Sequence, residues 1–246
     1  MPFSTYGRFS RGIATGANRF FAISPSTAQK HGLPQQNLIP CLSKARQAQG
    51  KVFTATDFDA LLSADKPVYL FDGEAKSGEE VDRYIRLGEQ SGFQDRYLTR
   101  MRKPWYALEK RRPSKIWVGV FSRTGVRFIW NESECISLTC FHVFQPSELG
   151  SKYLPMLFLY LHSAAGSRFL ELEKREYGDG LAKFEPNDIN KALAPDFTLL
   201  GENELNRLAE LQRLFIDAEK GSSDEASVLD DANQIFDALI QDDTDC

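Results

Sequence analysis

The sequence predicts an α+β fold: a mixed or antiparallel sheet with hairpins in the first 145 residues, and helices mostly after residue 150. Three observations carry this reading. Runs rich in Val, Ile, Phe and Trp over residues 115–121 and 126–130 flank a turn, the signal of a strand pair. Val81, Tyr84, Ile85 and Gly88 recur at helical spacing, as do Leu205, Leu208, Leu211 and Phe215. Turn-forming residues separate the segments, with no internal repeat and no low-complexity tract.

In chain order, Phe9, Arg11 and Ile13 alternate with smaller residues, Thr15-Gly16-Ala17-Asn18 reads as a turn, and Phe20-Phe21-Ala22-Ile23 resumes. This predicts a hairpin or bulged strand pair, with Gly12 and Gly16 suited to a tight, left-handed turn. Ser24-Pro25 signals a helix start, Ser as cap and Pro in the first turn, with Gly32 past the end. Residues 67–71 read as a buried strand and 79–88 as a helix. Residues 115–131 form the clearest hairpin, around the loop Ser122-Arg123-Thr124-Gly125, and another strand follows over 136–144. Residues 154–162 read as a buried helix with Pro155 tolerable in its first turn. An amphipathic helix around 205–215 and, after Gly221-Ser222-Ser223, a last helix from 228 to 240 complete the chain. Residues 1–200 are expected to form one domain and 201–246 an acidic helical extension.

The 246 residues are 42% hydrophobic and 26% charged, ordinary for a soluble globular chain. No apolar run reaches the roughly 18 residues of a membrane span, and the start lacks a signal peptide, so the expected partners include no membrane. Four cysteines without CxxC spacing fit a reducing cytoplasm.

The net charge of −4 hides a segregation. Residues 1–56 carry +7 without a single acid, and residues 96–130 carry +9 with Glu109 alone opposing. The intervening 57–95 carry −6, while 131–200 carry −4 and 201–246 carry −10. Two aromatic-rich basic blocks point to a face that binds a polyanion. The acidic helices read as packing on their own domain or on a partner, and their charge as a shield that keeps that face off random nucleic acid.

Catalytic signatures are missing. The chain has no GxGxxG after a strand, no GxxxxGK(S/T), no HExxH and no GxSxG. Asp72, Glu74 and Lys76 resemble a nuclease metal site at short spacing, but a solvated turn explains them better. Cys135, Cys140 and His142 lack an evident fourth metal ligand and read as core residues.

Three runs in order carry a family resemblance. Arg11-Gly12-Ile13-Ala14-Thr15-Gly16-Ala17-Asn18-Arg19-Phe20-Phe21 resembles the RGIATGxNxFF run that opens the specificity region of many adenine-N6 DNA methyltransferases of restriction–modification systems, the Taq-like specificity domain family. Arg102-Lys103-Pro104-Trp105-Tyr106, after Tyr97-Leu98, is similar to that family's R-x-PWY element. Residues 177–186, Tyr-Gly-Asp-Gly-Leu-Ala-Lys-Phe-Glu-Pro, are similar to its YGGGLxKxEP element.

The resemblance implies a target-recognition region that grips double-stranded DNA. The family's catalysis rests on an Asn/Asp-Pro-Pro-Tyr/Phe loop and an S-adenosylmethionine pocket, and this sequence contains no Asn-Pro-Pro. The expectation is therefore no cofactor and no catalysis in this chain alone, with the chemistry upstream or in a separate methyltransferase chain. A second departure is Ser137-Leu138-Thr139-Cys140-Phe141-His142, where many members have an Asn-containing stretch.

The candidate DNA-binding residues are Arg11, Thr15, Gly16, Asn18, Arg19, Arg100, Arg102, Lys103, Lys110, Arg111, Arg112 and Arg123. Clustered Lys and Arg neutralise phosphates, while Arg and Asn pair bidentately with guanine and adenine edges. Trp105 and Tyr106 read better as core than as a stacking platform for a displaced base, and Gly178, Gly180 and Lys183 better as a turn into a helix near Pro186. The rival readings are a non-catalytic interaction subunit or degenerate remnant that docks a methyltransferase, and, a distant third, a nuclease using Asp72, Glu74 and Lys76.

Overall fold

A computed structural model describes residues 1–122, 126–172, 175–177, 181–183, 185–219 and 224–242. The central five-stranded sheet comprises β1 (Gly7–Arg11), β4 (Val52–Phe53), β6 (Ile116–Gly119), β8 (Phe128–Asn131) and β10 (Phe141–Pro146). Their order is β1-β10-β6-β8-β4, antiparallel except for the β4–β8 pair. The expected hairpin at 115–131 is β6 and β8, with Ile116 opposite Trp130 and Val118 opposite Phe128. Ile116, Val118 and Phe128 enter one apolar cluster, while Trp117 and Ile129 enter another on the opposite face. Both faces are covered, so all four residues of β6 are buried.

The expected buried helix is α6 (Leu154–His162), apolar at every position from 156 to 161 because each of these residues is buried. Around it pack α7 (Ala164–Leu172), α9 (Glu202–Glu219) and α10 (Glu225–Asp242). Phe158 meets Phe215 at 6.1 Å and Tyr160 meets Phe236 edge-on at 5.5 Å. The acidic helices thus pack on their own chain, with Leu208, Leu211 and Phe215 buried in the same cluster as Phe9 and Phe144. Removing them at Gly201 would expose this face, so a shielding role for their charge is tested by neutralising exposed acids rather than by truncation.

His162 packs half-buried among Phe128, Phe158 and Phe215, its Nδ1 3.0 Å from the Phe158 carbonyl. Desolvation pushes its pKa down to about 4, with Lys51 acting in the same direction and Glu225 opposing. The native site refuses a proton that the unfolded chain accepts. Its contribution is therefore intact above about pH 6.5 and lost as pH falls towards 4, a change of about 3 kcal/mol. Chemical denaturation across that window is expected to show the decline, and His162→Leu is expected to flatten it. An equal slope in both proteins would contradict this assignment.

A second sheet holds β2 (Ala22–Ile23), β3 (Leu38–Leu42), β5 (Tyr69–Phe71) and β9 (Ile136–Ser137), in the order β2-β5-β3-β9. It is flanked by α1 (Asn18–Phe21), α2 (Pro25–His31) and α4 (Glu79–Gln90). As expected, the Ser24 hydroxyl caps α2, accepting from the Thr27 N–H, and Gly32 ends it. Val81, Tyr84, Ile85 and Gly88 form the buried stripe of α4. Tyr84 stacks on Phe20 at 4.8 Å and donates to the Phe20 carbonyl at 2.8 Å.

The expected N-terminal hairpin does not form. β1 pairs with β10, β2 pairs with β5, and α1 stands between them. Phe20 and Phe21 are both buried in one cluster, which a helical turn permits and a strand, pointing neighbours to opposite faces, does not. The expected strand over 136–144 is likewise two strands, β9 in the second sheet and β10 in the first, so the chain crosses between sheets at Leu138–Cys140. After residue 150, β11 (Arg175–Tyr177) and β12 (Leu181–Lys183) join β7 (Phe121–Ser122) in a small antiparallel sheet. The short helices α3 (Ala55–Ser63), α5 (Glu148–Lys152) and α8 (Pro186–Lys191) complete the elements used below. Among the described residues no helix is long and apolar enough to cross a membrane.

Candidate nucleic-acid interface

β1 is an edge strand, and its outward backbone groups need partners. Asn190 of α8 supplies both at Phe9: the Phe9 N–H donates to Asn190 Oδ1 at 2.7 Å, and Asn190 Nδ2 donates to the Phe9 carbonyl at 3.0 Å. This pairing fixes the start of α8 beside the end of β1, where Arg11 meets Glu185 at 3.0 Å. Gly12 follows. A Cβ there would stand 2.2 Å from the Leu138 carbonyl oxygen, so close approach, not left-handed backbone, requires glycine. The left-handed residue is Gly16, with φ of 74°. The buried Thr15 hydroxyl accepts from the Ala17 N–H at 3.1 Å and hydrogen-bonds the Asn18 side chain. Asn18 and Arg19 stand exposed on α1.

Residues 93–112 lie against this turn. Arg102 Nη1 donates to the Thr15 carbonyl at 2.9 Å, and Nη2 donates to the Ala14 carbonyl. Leu98 rests on Gly16, where an added Cβ would come within 2.7 Å of the leucine Cβ. Trp105 packs on Phe20 at 5.0 Å and Phe21 at 6.1 Å, and its ring N–H donates to Glu89 at 3.1 Å. Tyr106 sits edge-on to Trp105, so this pair closes the second cluster, the core role expected of it. Arg111 donates to Ser10 Oγ at 2.8 Å and to the Arg11 carbonyl, and pairs with Glu109 at 2.8 Å. Two acid-poor blocks far apart in sequence are therefore joined side by side through Arg102 and Arg111.

The candidate residues divide accordingly. Thr15, Gly16, Arg102 and Arg111 shape the face, and burial lowers the Arg102 pKa. Asn18, Arg19, Arg100, Lys103, Lys110 and Arg112 present exposed side chains. Arg11 is 69% exposed while it pairs with Glu185. Arg123 falls outside the described residues, as do Gly178 and Gly180. Arg8, exposed on β1, and Arg96, exposed over the Phe93 ring at 4.7 Å, also lie within the two basic blocks and were not singled out from sequence.

Removing Arg102 leaves two carbonyls without their charged donor. Arg102→Ala is expected to cost about 2 kcal/mol, and Arg102→Lys to recover little, because one ammonium does not reproduce the planar fork. Denaturant midpoints at unchanged m-value check this; an Arg102→Lys midpoint equal to wild type would contradict it.

The other constellations are structural. Asp72 Oδ1 accepts from the Glu74 N–H at 2.9 Å, and Asn37 Nδ2 donates to the Asp72 and Lys76 carbonyls at 2.6 and 3.0 Å. This is a closed turn after β5. Burial raises the thiols of Cys135 and Cys140 to about 11 and also pushes that of Cys41 well above the usual thiol range. Among the described residues no three His, Cys, Asp or Glu side chains are placed to hold a metal ion.

The candidate face just described, edge strand, glycine turn and basic segment, lies in a chain whose residues 1–232 match the family model described as type II methyltransferase M.Eco57I, C-terminal domain. The chain belongs to this family, as its three runs led one to expect. It is 40% identical over 227 residues to the type II methyltransferase M.AccI of Acinetobacter calcoaceticus, an alignment covering 90% of this chain and 42% of that protein. It is 25% identical over 192 residues to the type II methyltransferase M.XamI of Xanthomonas campestris pv. amaranthicola, covering 76% of this chain and 35% of the relative. The chain thus spans less than half the length of either curated relative. The structure of the type IIG restriction endonuclease BpuSI superposes with a TM-score of 0.55 at 15% identity, over 98% of this chain and 31% of that one, which shows a shared fold.

Proposed function

We propose that this chain is the DNA target-recognition portion of an S-adenosylmethionine-dependent adenine-N6 methyltransferase of a restriction–modification system, acting in the cytoplasm on double-stranded DNA. One observation carries the reading: Arg102 and Arg111 join the two acid-poor blocks into a single basic face, next to a turn that exposes Asn18 and Arg19. Lys103, Lys110 and Arg112 neutralise phosphates and set register, and Asn18 and Arg19 are the side chains best placed to read base edges. A catalytic region, in the same protein or in a separate chain, supplies the methyl group from S-adenosylmethionine and receives the target adenine flipped from the stack.

Selection of bound sequences from a randomised duplex library tests the reading. Enrichment of one short site, altered by Asn18→Ala or Arg19→Ala, is the expected result. Retention without enrichment would leave a phosphate-gripping module that does not read sequence.

A further inference from the structure

Within the second basic block the chain exposes large apolar side chains where solvent exposure is unfavourable. Met101 is 73% and Tyr97 72% exposed, in a turn that also carries Arg96, Arg100 and Lys103 and no acid between residues 96 and 108. The turn is firmly held. The buried Thr99 hydroxyl donates to the Phe93 and Arg96 carbonyls, the Arg102 N–H donates to the Thr99 carbonyl at 3.0 Å, and the Arg102 side chain anchors on Ala14 and Thr15. Arg100 lies over the Tyr97 ring at 5.5 Å, stiffening the aromatic side chain where it leaves the surface.

An apolar tip ringed by cations and mounted on a rigid base is the form of a side chain that enters a base step while its neighbours hold the flanking phosphates. A protein partner would have to bury the same tip against three exposed cations, and charge complementarity favours the nucleic acid. We infer that Met101 and Tyr97 form a wedge that unstacks duplex DNA at the recognition face. The inference rests on the proposed DNA-binding function and adds to it a deformation step. Opening a stacked step at this point lowers the cost of displacing a neighbouring base.

Unstacking costs less where pairing is already broken, so a wedge prefers a mismatch. The test is fluorescence anisotropy with two duplexes of one sequence, one matched and one with a single central mismatch, at fixed salt. The wild-type chain is expected to bind the mismatched duplex about tenfold more tightly. Met101→Ala and Tyr97→Ala are expected to lose the preference while keeping the salt dependence, and Met101→Leu, which keeps an apolar tip, to retain it. Thermal melts of these surface variants confirm that they fold. Binding of the matched duplex with no mismatch preference, or a preference that survives Met101→Ala, overturns the wedge and returns the tip to a protein-binding role. Failure to bind either duplex overturns the proposed DNA-binding function itself.

Discussion

Arg19, Lys110 and Arg112 replaced together by glutamate are expected to lower affinity for a random duplex by about a hundredfold or more near 0.1 M salt. The slope of log affinity against log salt is expected to shrink by about 3, one for each phosphate that is no longer neutralised. All three side chains are exposed and make no ion pair among the described residues, so the thermal midpoint is expected to stay close to wild type. Arg111 is a poorer choice despite its central place in the basic run. Its guanidinium holds Ser10, the Arg11 carbonyl and Glu109, so charge reversal there mixes impaired folding with impaired binding. Arg111→Glu is expected to lower both the melting temperature and the affinity, which separates a residue that builds the face from those that present charge on it.

The second large effect is on stability. Gly12→Ala places a methyl group 2.2 Å from the Leu138 carbonyl oxygen and 2.6 Å from that of Ser137. Neither side has room to retreat: the Gly12 N–H donates to the Phe141 carbonyl at 3.1 Å, and the Ile13 N–H donates to the Ser137 carbonyl at 3.0 Å. The overpacking is expected to cost about 3 kcal/mol, lowering the thermal midpoint by about 6–12 °C in a chain of this size. It also shifts the end of β1, and with it Arg11 and the turn at Gly16, so affinity measured well below the midpoint is expected to fall too. An unchanged melt would show that β1 does not press on the crossover between the sheets.

The legibility of this fold followed local periodicity. β6 and β8, α4 and α6 were readable because an apolar run or, in α4, a helical stripe coincides with what each element buries. Ser24, Pro25 and Gly32 announced α2 because capping chemistry is local. The N-terminal segment was not readable in this way. Phe20 and Phe21 enter one cluster only because the second sheet lies beside them, a tertiary demand that overrides the strand-like alternation of Phe9, Arg11 and Ile13. The split at Leu138–Cys140 is of the same kind, since nothing local says that Ile136 pairs with Cys41 while Phe141 pairs with Gly119. The Thr54 to Asp57 capping box of α3, by contrast, was a local signal available to inspection.

The candidate site was legible as charge and only partly as geometry. Acid-poor blocks located the face, but sequence could not separate Arg102 and Arg111, which hold backbone carbonyls about ninety to a hundred positions away, from Lys110 and Arg112 at the surface. Gly12 and Gly16, close together in one run, serve different ends: the first admits a neighbouring carbonyl, the second turns the backbone. The third run meets the first through Arg11 and Glu185, an ion pair between residues 174 positions apart.

Fluorescence anisotropy of a labelled random-sequence duplex, titrated with the chain across a salt series, tests the central claim most directly. Submicromolar binding at low salt that weakens steeply and linearly on a log–log plot, with the slope reduced in the Arg19, Lys110 and Arg112 variant, is the expected result. No binding at low salt, or binding indifferent to salt and to those three charges, would contradict the assignment of this face to DNA.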